Sequence, residues 1–259
     1  YKYIPYHKLF RRTEFLSIEG YGKFEALANR DSLNYREIYG LQDALTLYRG
    51  TIRRVGYSRA WNIFVQLGMT DDSYVLEGSE QMTYREFTNS FLPYKPHDSV
   101  ELKLRHYLKI DQDDVIWDKL LELDIFNGSK IVGIKDATPA QILQRILMDS
   151  WTLGEDDKDM IVMYHKFGYE LNGVKKQIES NMVVIGEDQT YTAMAKTVGL
   201  PVAMATLDIL NGKIKTPGVQ LPITKEVYDP ILAELEDYGI EFKEKEVPYL
   251  GYNPHNLGA

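Results

Sequence analysis

The 259-residue chain is 44% hydrophobic and 26% charged, with a formal net charge of −8 and a pI near 5.2. That is the balance of an ordinary globular protein, and its negative sign argues against nucleic acid or an anionic membrane as partner, because phosphate needs a basic surface. The absence of cysteine excludes disulfides, thiolate catalysis and cysteine-held metals, and it fits a reducing compartment, so a cytoplasmic location is expected.

No apolar run approaches the roughly 18–20 residues that span a bilayer. The start, Tyr1-Lys2-Tyr3-Ile4-Pro5-Tyr6, has neither the basic-then-apolar layout of a signal peptide nor an initiator Met, so the chain reads as a piece of a longer one. Phe15–Tyr21 and Lys23–Ala28 alternate apolar and polar residues as strands do, with Gly20 and Gly22 marking a bend. Leu33–Tyr39 reads as a short helix capped by Ser32 and ended by Gly40. From Val55 to Trp151 the pattern turns helical. Tyr57, Ala60, Trp61, Phe64 and Val65 share a face, Thr83 and Glu86 form a capping box, Ser99 caps a segment, and Thr138-Pro139 is a strong helix start.

Strands return at Asp159–Phe167 and Gln177–Ile185, joined by Asn172-Gly173, the dipeptide that best favours a tight hairpin. A small-residue helix follows over Tyr191–Leu210, where Pro201 implies a kink. Asp229-Pro230 opens another helix to about Tyr238, and Ile240–Val247 is extended. The acidic Glu155–Asp159 stretch reads as a solvated loop. The fold class implied is α+β: a mixed β-sheet domain in two parts, residues 1–54 and 152–259, with a helical subdomain, residues 55–151, inserted between them.

Asn29-Arg30-Asp31-Ser32 and Tyr48-Arg49-Gly50-Thr51-Ile52-Arg53-Arg54 bring four arginines together on an otherwise acidic chain. A guanidinium meets a carboxylate in two parallel bonds and stays charged at any ordinary pH, so the cluster reads as a receptor for a molecule with several carboxylates. Thr51 with backbone N–H groups at the start of the Tyr57 helix would add an anion site. The plainer reading is a local Arg30–Asp31 ion pair and a solvated Arg53-Arg54. No two of His7, His97, His106, His165 and His255 have metal-ligand spacing, so no metal is expected. His165 as a base and Lys196 as a Schiff-base lysine are weaker readings than a packed histidine and an exposed lysine.

Taken in order, Ala28–Leu33, Tyr39–Leu41, Arg49–Arg53, Asp159–Met163, Tyr191–Pro201 and Pro222–Pro230 resemble the C-terminal, substrate-binding portion of the glutamate-forming saccharopine dehydrogenases, also called saccharopine reductases. The resemblance implies a role in lysine metabolism: hydride transfer with NADP or NAD interconverts saccharopine with glutamate plus 2-aminoadipate 6-semialdehyde. It places saccharopine, which bears three carboxylates, at Arg30, Thr51, Ile52 and Arg53, with Arg49 and Asn29 in support. It also implies a homodimer formed through the sheet around 159–185. The Gly-rich nucleotide domain that precedes this region in the family is absent from the sequence, so no catalytic residue and no bound cofactor are expected in this chain alone. Two alternatives stay open: a non-catalytic amino-acid-binding or dimerisation module of the same fold, and a related amine-forming reductase of polyamine synthesis.

Overall fold

The computed structural model describes residues 3–29 and 31–251. The elements are, in chain order, α1 (Tyr6–Leu9), β1 (Thr13–Ile18), β2 (Gly22–Ala28), α2 (Tyr35–Ile38), β3 (Gly50–Arg54), α3 (Tyr57–Leu67), α4 (Tyr84–Ser90), α5 (Val100–Leu108), α6 (Val115–Glu122), α7 (Pro139–Trp151), β4 (Met160–Leu171), β5 (Val174–Ile185), α8 (Ala193–Leu210), α9 (Lys225–Glu236) and β6 (Lys243–Val247). The strands form two three-stranded sheets, ordered β1-β2-β3 and β4-β5-β6, and the class is α+β. The second sheet is antiparallel at both seams, where a mixed sheet was expected.

The chain falls into two compact units. Of the described residues, one holds 3–29 and 53–152, and the other holds 31–52 and 153–251. The division falls inside β3. The expected boundary at residue 54 would instead place the β1–β2 hairpin with the later sheet.

In the first unit, β1 and β2 pair antiparallel from Thr13↔Leu27 to Ile18↔Gly22, and the turn between them uses positive φ at Gly20 and Gly22. The helices pack around one apolar core containing Phe64, Tyr84, Phe87, Leu104, Leu120, Ile142 and Ile146. The sequence signals for their starts are realised in hydrogen bonds. Thr83 with Glu86 and Thr138 with Gln141 each complete a capping box, and Ser99 and Asp114 accept from Leu102 N and Ile116 N. In α7, Ile142, Leu143, Ile146 and Leu147 form the inward stripe, each buried side chain contributing about 1.5–3 kcal/mol.

In the second unit, β4 and β5 are twelve residues each and pair along their whole length from Met160↔Ile185 to Leu171↔Val174. Asn172 and Gly173 make the two-residue turn with φ of 52° and 78°, the left-handed pair that matches strand twist. Met182 and Val184 of β5 pack with Met204 of α8 and with Val227, Ile231 and Leu235 of α9. That stripe, repeating every four residues, carries α9 through Pro230. The helix therefore begins at Lys225, four residues before the Asp229-Pro230 start expected from sequence. α8 likewise runs through Pro201 as one helix.

By length and composition α8 is apolar enough to cross a membrane, with a mean hydropathy of 1.4, contrary to the expectation that no such stretch exists. Its two charged residues are paired, Lys196 with Glu187 and the buried Asp208 with Lys213 at 2.8 Å. Met204 lies in the core shared with β5 and α9, but only 17% of the helix is buried, and Met194, Val198, Val202, Leu207, Ile209 and Leu210 are exposed.

Candidate functional site

The Thr51-Ile52-Arg53 segment lies on strand β3, not in a helix start. Side chains alternate across a strand, which puts Thr51 and Arg53 on one face and Ile52 and Arg54 on the other. Thr51 and Ile52 are half-buried, and Arg53 is exposed. The Arg53 guanidinium lies 5.4 Å from the centre of the Tyr57 ring on the first turn of α3. Burial raises the Tyr57 phenol above its usual range, and the charge and hydrogen bond of Arg53 pull it part of the way back.

The helix N-terminus expected to bind an external anion already holds one. Glu25 of β2 is only 4% exposed, and its carboxylate accepts from Gly56 N at 3.2 Å and Ser58 N at 2.5 Å. The chain thus fills its own anion site, with the charge sign that a helix N-terminus favours. The alternation of Lys23–Ala28 suggested an outward Glu25. Phe24, Glu25, Ala26 and Leu27 are instead all buried, because β2 is covered on both faces.

The four arginines have separate fates. Arg54 lies over the Phe24 ring at 4.5 Å and donates to the Tyr21 carbonyl at 2.6 Å, so it clamps the β1–β2 turn. Arg30 lies outside the described residues, and so does His255. Arg49 stacks on the Tyr35 ring at 4.0 Å, and its backbone N–H donates to Ser32 Oγ at 3.0 Å. Ser32 therefore ties Arg49 in place and does not cap α2, whose first turn follows Asn34.

Beside Arg49, within the second unit, is a groove of about 440 Å³ whose lining includes Asp31, Tyr35, Tyr39, Leu221 and Ile223. Asp31 Oδ1 accepts from Leu33 N at 2.8 Å, and the Tyr35 and Tyr39 rings stack 5.9 Å apart. The signal for Tyr35 and Tyr39 was present in the sequence as an i, i+4 aromatic pair next to the arginine motif.

The other candidates resolve as packing. His165 stacks on Phe167 at 5.8 Å and lies 5.5 Å from Phe242, and burial lowers its pKa. Asp159, at the end of the supposed solvated loop, accepts from Ala193 N at 2.6 Å and Met194 N at 2.9 Å, anchoring the start of α8. Among the described residues no group of three or more acidic, histidine or cysteine side chains is placed to hold a metal ion. The Gly20-Tyr21-Gly22 run sits in the turn of an antiparallel hairpin, not in the strand-to-helix turn that cradles a pyrophosphate, so these residues do not fit a dinucleotide.

A family model for the saccharopine dehydrogenase C-terminal domain matches residues 1–240. The chain is 34% identical over 232 residues to the mitochondrial alpha-aminoadipic semialdehyde synthase of Rattus norvegicus, covering 88% of this chain and 24% of the relative. It is 33% identical over 231 residues to the saccharopine dehydrogenase [NADP(+), L-glutamate-forming] of Saccharomyces cerevisiae, covering 86% of this chain and 51% of the relative. The solved structure of apo saccharopine dehydrogenase (L-Glu forming) from the same yeast superposes with a TM-score of 0.80 at 31% identity, covering 93% of this chain and 55% of that one. The chain therefore spans about half the length of the yeast relative and about a quarter of the rat one. On these matches and on its fold, the chain belongs to the saccharopine dehydrogenase C-terminal domain family.

Proposed function

We propose that this chain is the substrate-binding portion of a glutamate-forming saccharopine dehydrogenase, holding saccharopine through Arg30, Thr51, Ile52 and Arg53. In the longer protein, NADP would supply or accept the hydride that interconverts saccharopine with glutamate plus 2-aminoadipate 6-semialdehyde. The nucleotide name comes from the fungal relatives. The residues of this chain would bind and orient the substrate, neutralising its carboxylates, and would transfer no proton. In isolation the chain is proposed to bind without turnover.

The observation that carries the reading is Arg53 on β3: an exposed guanidinium beside a half-buried tyrosine, on the strand face that also presents the Thr51 hydroxyl. One fixed charge and one hydroxyl on a rigid strand suit a carboxylate better than a flexible loop would. We further propose a homodimer and a cytoplasmic location. The dimer reading is supported by β4, which stands at the edge of its sheet for twelve residues and pairs only with β5 among the described strands.

The test is Arg53→Ala in the full-length enzyme. Losing a charge-assisted bond of roughly 1.5–3 kcal/mol should raise KM for saccharopine by about tenfold to a hundredfold and leave NADP affinity unchanged. Unchanged saccharopine kinetics would remove Arg53 from the site.

A further inference from the structure

We propose that Asn172, at the tip of the β4–β5 hairpin, is a site of spontaneous deamidation whose isoaspartyl product loosens that hairpin. An asparagine followed by glycine closes on itself when the glycine N–H loses its proton and the nitrogen attacks the side-chain carboxamide carbon. A succinimide forms and ammonia leaves. Water then opens the ring at either carbonyl, giving aspartate or isoaspartate with no change of oxidation state. Glycine favours the step because it has no Cβ to shield the attacking nitrogen. The step is fastest where the pair is exposed, the glycine nitrogen is outside any hydrogen-bond ladder and the asparagine side chain is free to turn.

Asn-Gly occurs at 127–128, 172–173 and 211–212, and the three pairs sit in different surroundings. The Asn127 carboxamide is held at both ends: Nδ2 donates to Asp124 Oδ2 at 3.0 Å, and Oδ1 accepts from Ser129 N at 2.7 Å and Lys130 N at 2.8 Å. Asn211 is the C-cap of α8, and the Gly212 N–H that would attack it donates to the Ile209 carbonyl at 3.0 Å. Asn172 and Gly173 are both exposed, and the strand ladder closes at Leu171↔Val174, which leaves the Gly173 N–H outside it. The turn needs positive φ at both residues, 52° and 78°. Asp-Gly suits that turn as well as Asn-Gly does, so the aspartyl product leaves the hairpin intact. Isoaspartate puts the side-chain methylene into the backbone and lengthens a turn built for two residues, so the register it sets is lost at this end. Leu171 and Val174 are 52% and 57% exposed, and little packing holds the strand ends once the turn no longer does.

The test is peptide mapping by mass spectrometry after the folded chain has been held in warm, mildly alkaline buffer. An isoaspartyl methyltransferase with S-adenosylmethionine serves as the probe for isoaspartate. Asn172 should convert about tenfold faster than Asn127 or Asn211, each of which must first give up a hydrogen bond. The isoaspartyl form should show faster amide hydrogen exchange at Leu171 and Val174, with exchange in α4–α7 unchanged. Asn172→Gly removes the reacting carboxamide and keeps the turn, because Gly-Gly also adopts it, and circular dichroism confirms its fold beforehand. This variant should hold its exchange pattern through the same incubation. Conversion at Asn172 no faster than at the other two pairs, or conversion to aspartate alone, would overturn the inference. Unchanged exchange in the isoaspartyl form, or the same loosening in Asn172→Gly, would overturn it as well.

Discussion

The carboxylate of Glu25 closes the N-terminus of α3, and removing it gives a direct measure of how the first unit is held together. In Glu25→Ala the Gly56 and Ser58 N–H groups lose their acceptor in a site only 4% exposed at Glu25. A hydrogen bond to a charged acceptor contributes about 1.5–3 kcal/mol, and helix-cap removal alone typically costs about 1 kcal/mol. Counting one strong bond at 2.5 Å and one weaker bond at 3.2 Å, a loss of about 3 kcal/mol is expected. The assay isolates the right part of the molecule, because Trp61, Trp117 and Trp151 all lie in the first unit. Urea unfolding followed by tryptophan fluorescence should show the midpoint falling by roughly 1.5 M at a slope of about 2 kcal/mol per M. Glu25→Gln, which keeps an acceptor but no charge, should lose less. A Glu25→Ala midpoint within about 0.3 M of wild type would show that water satisfies these donors and that the buried cap contributes little.

Two further perturbations address the second unit. A Cβ at Gly186 would collide with Asp159 Oδ1 and approach Ala193 N at 2.8 Å, so Gly186→Ala should displace the carboxylate that anchors α8 and destabilise by about 2 kcal/mol or more. An unchanged melting temperature by circular dichroism would contradict that packing. His165 titrates below its usual value because burial disfavours its charged form. Above about pH 6.5 it is neutral in both states and adds no pH dependence. As pH falls below that, the unfolded chain takes the proton first, so stability drops until the folded pKa is passed. His165→Phe should flatten this decline between pH 7 and 5, and an equally steep decline in the variant would assign it to other groups.

Local signals in the sequence translated well into the elements they concern. Thr83, Ser99 and Thr138 cap helices through the atoms their residue types supply, and Asn172-Gly173 sets the register of twenty-four strand residues. What was not legible depends on partners distant in sequence. Glu25 looks like an outward strand residue until α3, some thirty residues later, covers that face. Asp159 looks like part of a charged loop until α8 presents two N–H groups to it across thirty-four residues. Pro230 looks like a helix start because propensity weighs a missing N–H heavily. Val227, Ile231 and Leu235 bury one stripe across it and outweigh that cost.

The arginine cluster shows the same limit at the site itself. Adjacent arginines in sequence were read as one receptor, but strand geometry sends Arg53 and Arg54 to opposite faces. Arg54 is consumed by the Tyr21 carbonyl and the Phe24 ring, which makes it a structural residue that sequence could not separate from its neighbour. Arg49 becomes informative only through Tyr35 and Asp31, which share its groove. Charge density alone therefore does not separate an arginine that holds the hairpin from its neighbours. The number of carboxylates a chain like this can hold follows from which guanidinium groups keep their donor edges open. Among the described arginines of the cluster, Arg49 lies over the Tyr35 ring, Arg53 lies near the Tyr57 ring, and Arg54 holds the hairpin that precedes β3.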